Sequence, residues 1–500
     1  MRDYKGRSTR VCFGVERPRH VRCNSSLRSP VSNLTRRVAN RIGLQRLDQS
    51  AAILSIFFPL PLRCGVPAVC VVTESASLFG EWKERVAMSS CTSSLVHVEV
   101  RLRSDIEIFD TADIEAAVRR FIESDPHAPI ECESEMAGWQ QADTFLAEHV
   151  DRIYVGESDP PSASVLVHEV DMELHVYQPC PHDNVDEFGV GDADAAADNA
   201  VAATLSELPN HALDGLWRTL VYSDHVKEYL LHYIYSTLEF SDAGIDFHVI
   251  AWNRVVLLHG PPGTGKTSLC RALAQKLAIR LQKRYSHVKL VDINSHSLFS
   301  KWFSESGKLV HRLFDMVTEL VEDEAGFVVV LIDEVESVTK ARNSLVAGTE
   351  PSDSIRVVNA LLTELDKLKY RRNVLIMATS NLSDSIDSAF LDRADIRQYI
   401  GLPGTEAVYS ILRSCMLELI RVGLVPPEPF PSYDAMDASD ELTAAQQLWQ
   451  LARHCHGASG RSLRRLPVLA HAHYLPRTRN TSCADWVDAM RRAYDKSTPS

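Results

Sequence analysis

Gly260 to Thr267 reads GPPGTGKT. The stretch fits the phosphate-loop pattern G-x-x-x-x-G-K-[ST] without a mismatch. Apolar Val255, Val256, Leu257 and Leu258 precede it, as a buried strand would. Leu269, Ala272, Leu273 and Leu277 follow at helical spacing, so the loop joins a strand to a helix. Glycines let the backbone curl so that its N–H groups face a phosphate, and the helix N-terminus adds partial positive charge. The stretch therefore predicts a nucleotide cradle made of Gly260, Pro261, Pro262, Gly263, Thr264, Gly265, Lys266, Thr267 and Ser268. Lys266 is expected on the β- and γ-phosphates and Thr267 on Mg²⁺. A chance glycine turn would have no use for Lys266 and Thr267 at its end.

A second motif lies further on. Phe327 to Ile332 is a continuous apolar run ended by Asp333 and Glu334. Such a run suits a parallel strand covered on both faces. Acids at its C-terminal end fall where open α/β sheets bind ligands. Asp333 is expected to orient Mg²⁺ and Glu334 to polarise the attacking water, which favours hydrolysis of ATP over mere nucleotide binding. A third apolar run, Val374 to Thr379, ends in Ser380 and Asn381, and Asn381 is placed to hold the same water.

These residues carry a family resemblance. The phosphate loop, Asp333-Glu334, Asn381 and the later Arg393 resemble an AAA+ ATPase module. Arg356 to Asp366 (RVVNALLTELD) is similar to the helix after the second motif in that superfamily. Ser295 to Lys308 (SHSLFSKWFSESGK), Ala347 to Asp353 (AGTEPSD), Asp392 to Ile396 (DRADI) and Gly460 to Pro467 (GRSLRRLP) resemble the pachytene checkpoint, or thyroid receptor-interacting, AAA+ family. The resemblance is dense over residues 208–403 and thinner over 94–177. It implies a fold: a parallel sheet with helices on both faces and a helical lid, preceded by a small α+β domain. It also implies roles. Arg461 matches a lid arginine that senses the γ-phosphate. Arg393 matches a finger supplied to the neighbouring subunit, with Arg397 an alternative. Trp302 and Phe303, set among polar residues, match a pore loop that grips an extended peptide. A homo-hexamer is implied. So is remodelling of HORMA-domain proteins from closed to open form, with a HORMA-like adaptor. Meiotic chromosome-axis control and spindle-checkpoint silencing are implied as well, in nucleus, chromosome and cytoplasm. Two other readings stay open: a nucleotide-gated scaffold with little hydrolysis, and a nucleic-acid-dependent motor.

Composition bears on the last of these. The 500 residues carry a net charge of −13, which argues against nucleic acid as the main ligand. The charge is uneven: residues 1–50 hold eleven Arg and one Lys against three acids, +9, leaving −22 for the rest. Eleven scattered cysteines without a Cys-x-x-Cys pair read as a reducing compartment. His454-Cys455-His456 points its side chains in different directions on a helix and is not read as a metal site. The charge-free stretch Ala51 to Leu62 is twelve residues, too short to span a bilayer.

Along the chain, residues 1–92 form an unmatched extension. Residues 1–87 are either a targeting segment, mitochondrial import included, or precede the true start at Met88. Residues 93–180 make the recognition domain, with Leu95 to Leu102 alternating as a half-buried strand and Ile114, Val118, Phe121 and Ile122 marking a helix face. Residues 181–205, with six acids from Asp183 to Asp198, read as a solvated linker. Residues 206–404 are the large ATPase subdomain and 405–500 the lid.

Overall fold

The computed structural model describes residues 94–105, 111–159, 162–180, 185–189, 201–222, 225–295, 306–339, 352–382, 386–436, 443–475 and 481–497. All fall within one unit, Ser93–Ser500. Trp302, Phe303 and the extension of residues 1–92 lie outside the described residues.

The first domain contains β1 (Ser94–Leu102), α1 (Thr111–Ile122), β2 (Pro129–Glu131), β3 (Ser134–Glu135), α2 (Trp139–Ala142), α3 (Thr144–His149), β4 (Val150–Asp159), β5 (Ser164–Leu166) and β6 (Val170–Tyr177). Four strands pair in the order β3-β4-β1-β6, with β1 antiparallel to β4 and parallel to β6. Alternation decides the faces. Val96, Val98, Val100 and Leu102 bury in one core with Ile114, Val118 and Ile122 of α1. The intervening His97, Glu99 and Arg101 point the other way.

The P-loop domain follows with β7 (Val185–Gly189), β8 (Val201–Leu208), α4 (Leu216–Thr219), α5 (Val226–Asp242), β9 (Val255–His259), α6 (Lys266–Arg280) and β10 (His287–Asn294). It continues with α7 (Ser306–Glu322), β11 (Gly326–Asp333), α8 (Glu336–Thr339), α9 (Ser352–Leu368), β12 (Val374–Ser380), α10 (Ser388–Leu391) and β13 (Ile396–Tyr399). The sheet order is β13-β9-β12-β11-β10-β8-β7. The strands from β13 to β10 are parallel, and β8 and β7 add antiparallel at the edge. Odd and even residues of β11 serve different cores. Val328, Val330 and Ile332 pack with α7 and α9, while Phe327, Val329 and Leu331 pack with α5 and α6. That double covering is why the run is apolar throughout.

The stretch expected as a solvated linker, residues 181–205, instead supplies β7 and most of β8. Ala203 and Leu205 bury in the sheet core, opposite Ile293 and Val291 of β10. Acids such as Asp186 and Glu187 lie on the outermost strand, where charge is tolerated because an edge is solvated and protected by it. Composition alone does not distinguish such an edge from a linker.

Among the described residues the lid has four α-helices, α11 (Thr405–Arg421), α12 (Ala444–His454), α13 (Gly460–Tyr474) and α14 (Cys483–Ser497), around a separate core that includes Leu412, Leu448, Leu463 and Met490. In this lid His454 pairs with Asp495 at 2.6 Å, and the neighbouring Cys455 is buried.

One feature could not be read from periodicity. From Ala272 to Arg280, every residue of α6 is buried. The outer side of this helix faces the first domain. Lys276 and Arg280 reach across to Glu99 and Glu157, with Arg280 Nε donating to Glu99 at 3.1 Å and Arg280 Nη2 to Glu157 at 2.9 Å. Burial pushes the Glu99 and Glu157 carboxyls up, but Lys276 and Arg280 outweigh it and hold both below the usual carboxylate range. Arg280→Met is therefore expected to destabilise the chain by about 3–5 kcal/mol, because it leaves two buried carboxylates to share the single charge of Lys276. The loss should appear as a lower urea midpoint and should shrink when Glu99 and Glu157 are also made Gln. Equal midpoints for Arg280→Met and the unaltered chain would show that the cluster contributes nothing. The depressed carboxyl pKa values fix the pH sense: this stabilisation is present above the ordinary carboxylate value, 4.5, and fades as pH falls below it.

Candidate active site

The phosphate loop turns between β9 and α6. Its glycines take left-handed backbone, with φ of 141° at Gly260, 78° at Gly263 and 95° at Gly265. At Gly260 a Cβ would lie 2.2 Å from the Ile400 carbonyl oxygen, so no side chain fits. Pro262 through Ser268 line a cleft of about 530 Å³, within the range of ligand sites. Gly260 and Pro261 stand behind it, their carbonyls accepting from Lys266 Nζ at 2.9 and 2.8 Å. Burial pulls the Lys266 pKa below its usual value, opposed by Glu336, Asp333 and Glu334.

The adjacent strand ends contribute the acids. Thr267 Oγ1 donates to Asp333 Oδ1 at 2.8 Å, and Thr379 Oγ1 donates to the same oxygen. Thr379 Oγ1 also accepts the Glu334 N–H at 3.1 Å. Glu334 holds φ at 55°, a left-handed conformation unusual outside glycine, of the kind that marks functional sites. Asn381 Nδ2 donates to Glu334 Oε1 at 3.3 Å. Asp333, Glu334 and Asn381 all line the cleft with the loop.

Arg461 enters the cleft from the lid. Its backbone N–H donates to the Gly263 carbonyl at 3.1 Å, so the start of α13 rests on the phosphate loop itself. Arg393 does not line this cleft. It makes a two-pronged pair with Asp366 of α9, Nε to Oδ1 at 2.9 Å and Nη2 to Oδ2 at 2.7 Å. Arg397 donates to the Leu391 carbonyl at 2.5 Å.

Sequence reasoning missed several contributors. Glu336 is 5% exposed and its Oε1 accepts the Asn381 N–H at 3.0 Å. Its Oε2 is buried, with no hydrogen-bond partner among the described residues. In the sequence it stands only as an acid in the first turn of α8. Tyr222, Tyr399 and Leu402 form an apolar side of the cleft, and Arg464 and Arg465 join Arg461 on the lid side. Only the doublet of arginines beside Leu463 was a signal for the last two.

Three family models match the chain. They are the TRIP13 N-terminal domain over residues 91–182, the ATPase family associated with various cellular activities over 256–402, and the TRIP13-like AAA+ ATPase lid C-terminal domain over 404–498. A pachytene checkpoint protein 2 homolog of Oryza sativa subsp. indica is 44% identical over 416 residues, 78% of this chain and 84% of the relative. The Homo sapiens homolog is 42% identical over 414 residues, 81% of this chain and 93% of the relative. Among solved structures, C. elegans PCH-2 matches with a TM-score of 0.63 at 31% identity, covering 80% of this chain and 98% of that one. With three domain models in order and relatives matched across most of their length, the chain belongs to the TRIP13-like, pachytene checkpoint protein 2 family of AAA+ ATPases.

Proposed function

We propose that this ATPase works as a hexamer that pulls on HORMA-domain proteins and converts them from closed to open form, with a HORMA-like adaptor presenting the substrate. The observation that carries the hydrolytic part is the Glu334–Asn381 hydrogen bond at the rim of the cleft that also holds the phosphate loop. Glu334 takes the proton of the attacking water, and Asn381 fixes the direction of that carboxylate. Lys266 and the loop N–H groups hold the phosphates. Arg461 brings a permanent positive charge from the lid.

The hard oxygens of Thr267 and Asp333, 2.8 Å apart on the cleft wall, fit Mg²⁺. Bound there, Mg²⁺ would neutralise phosphate charge. Arg393 serves the neighbouring subunit's site. The substrate reading is supported by the resemblance of residues 295–308, with Trp302 and Phe303 as the gripping pair, and places of action in meiotic chromosomes and checkpoint complexes go with it.

The test pairs ATP turnover with conversion of a purified HORMA-domain protein. Turnover should rise when that protein and its adaptor are added. Trp302→Ala should keep nucleotide binding and lose conversion. Conversion at the normal rate by Trp302→Ala would reject the pore role, and stimulation by DNA in place of protein would reject the substrate class.

A further inference from the structure

The polar face of the first domain holds a second cluster, remote from the phosphate loop. Strands β1 and β6 are parallel, with His97 opposite Glu173 and Glu99 opposite His175. All four side chains therefore leave the same face. His97 Nδ1 lies 3.1 Å from His175 Nε2 and 3.4 Å from Glu173 Oε2, and the last two atoms are 4.0 Å apart. A triangle with those sides has its centre about 2.1 Å from every corner, which is the bond length of zinc to imidazole nitrogen and carboxylate oxygen.

We propose that His97, Glu173 and His175 form a binding site for a divalent cation of the zinc type. Three protein ligands and a water in the fourth position make a familiar zinc set, which becomes tetrahedral once the half-exposed Glu173 carboxylate turns in and shortens its 4.0 Å separation from His175 Nε2. Hydrogen bonding satisfies the cluster less well: Nδ1 of His97 carries at most one hydrogen, which cannot serve both neighbours fully, whereas a cation at the centre engages all three.

Charge permits it. Beside the cluster, Glu99 and Glu157 offset Lys276 and Arg280, leaving the Glu173 carboxylate as the added negative charge. Access permits it too, since the Glu173 side chain is 40% exposed while that of His175 is 2% exposed. Two imidazoles and one carboxylate favour zinc over Ca²⁺ or Mg²⁺, which take oxygen ligands. A bound ion would join β1 to β6 next to the Glu99 that receives α6.

The full chain, stripped with a chelator and free of nucleotide, should bind one Zn²⁺ by calorimetry and gain thermal stability. Co²⁺ in its place should give the visible absorption of a tetrahedral site. Glu173→Gln, at a half-exposed position, should weaken Zn²⁺ at least ~10-fold, and His97→Ala should abolish the Co²⁺ spectrum, with circular dichroism unchanged in both. The proposal is overturned if the stripped chain takes up no Zn²⁺. It is equally overturned if both variants bind Zn²⁺ as the unaltered chain does, since the ion would then rest on other histidines or cysteines.

Discussion

Glu334→Gln should bind ATP with near-normal affinity and turn it over at least ~100-fold more slowly, the scale of a lost general base. The amide has the shape of the acid and can still accept from Asn381 Nδ2 through its oxygen. The left-handed backbone at Glu334 and its N–H bond to Thr379 are untouched by the change. Only the negative charge that draws a proton from water is gone. Single-turnover hydrolysis with saturating ATP separates this from weak binding. Near-normal turnover would remove Glu334 from the chemistry and leave it as the residue that holds Asn381.

Arg393→Ala should be at least as damaging, with turnover down by about 10³-fold while ATP binding persists, the loss that goes with its proposed role as an arginine finger. Arg393 is absent from its own cleft, and its guanidinium is held by Asp366 with both prongs. Asp366 thus fixes where Arg393 can point. Mixing separates action in trans from a structural loss. An Arg393→Ala subunit keeps a sound phosphate loop, and a Lys266→Ala subunit keeps a sound arginine. If the chain forms the proposed ring, mixed assemblies should recover part of the activity where sound halves meet. If co-assembled mixtures stay as inactive as each variant alone, Arg393 is only Asp366's partner, and Arg397 becomes the candidate.

Much of the fold and site was legible because the chemistry is local. A phosphate cradle needs its glycines, lysine and threonine within eight residues, so GPPGTGKT announces itself. Asp333 and Glu334 stand out because two acids end a fully apolar strand. What stayed hidden depends on pairing between distant segments. Nothing around Glu336 says that its carboxylate will meet the backbone N–H of Asn381, 45 positions later. His97 and His175 are separated by 78 positions, and only the register of two parallel strands brings them together. Strands β7 and β8 were obscured by the acids in the sequence around them, because the composition of an edge strand can match that of a linker. The burial of Lys276 and Arg280 has no local sign either, since lysine and arginine are seldom buried unless paired, and their partners lie in another domain.

That last pair bears on how separable the first domain is. Helix α6 begins with Lys266 and Thr267 of the phosphate-loop motif and ends against carboxylates of another domain. A chimera that swaps in a foreign first domain would strand Lys276 and Arg280 unless the graft carried acids at the places of Glu99 and Glu157. The first domain would then vary more readily by substitutions on its outer, α1-bearing side than by domain shuffling. Any exchange that did succeed should bring compensating changes at the last turns of α6.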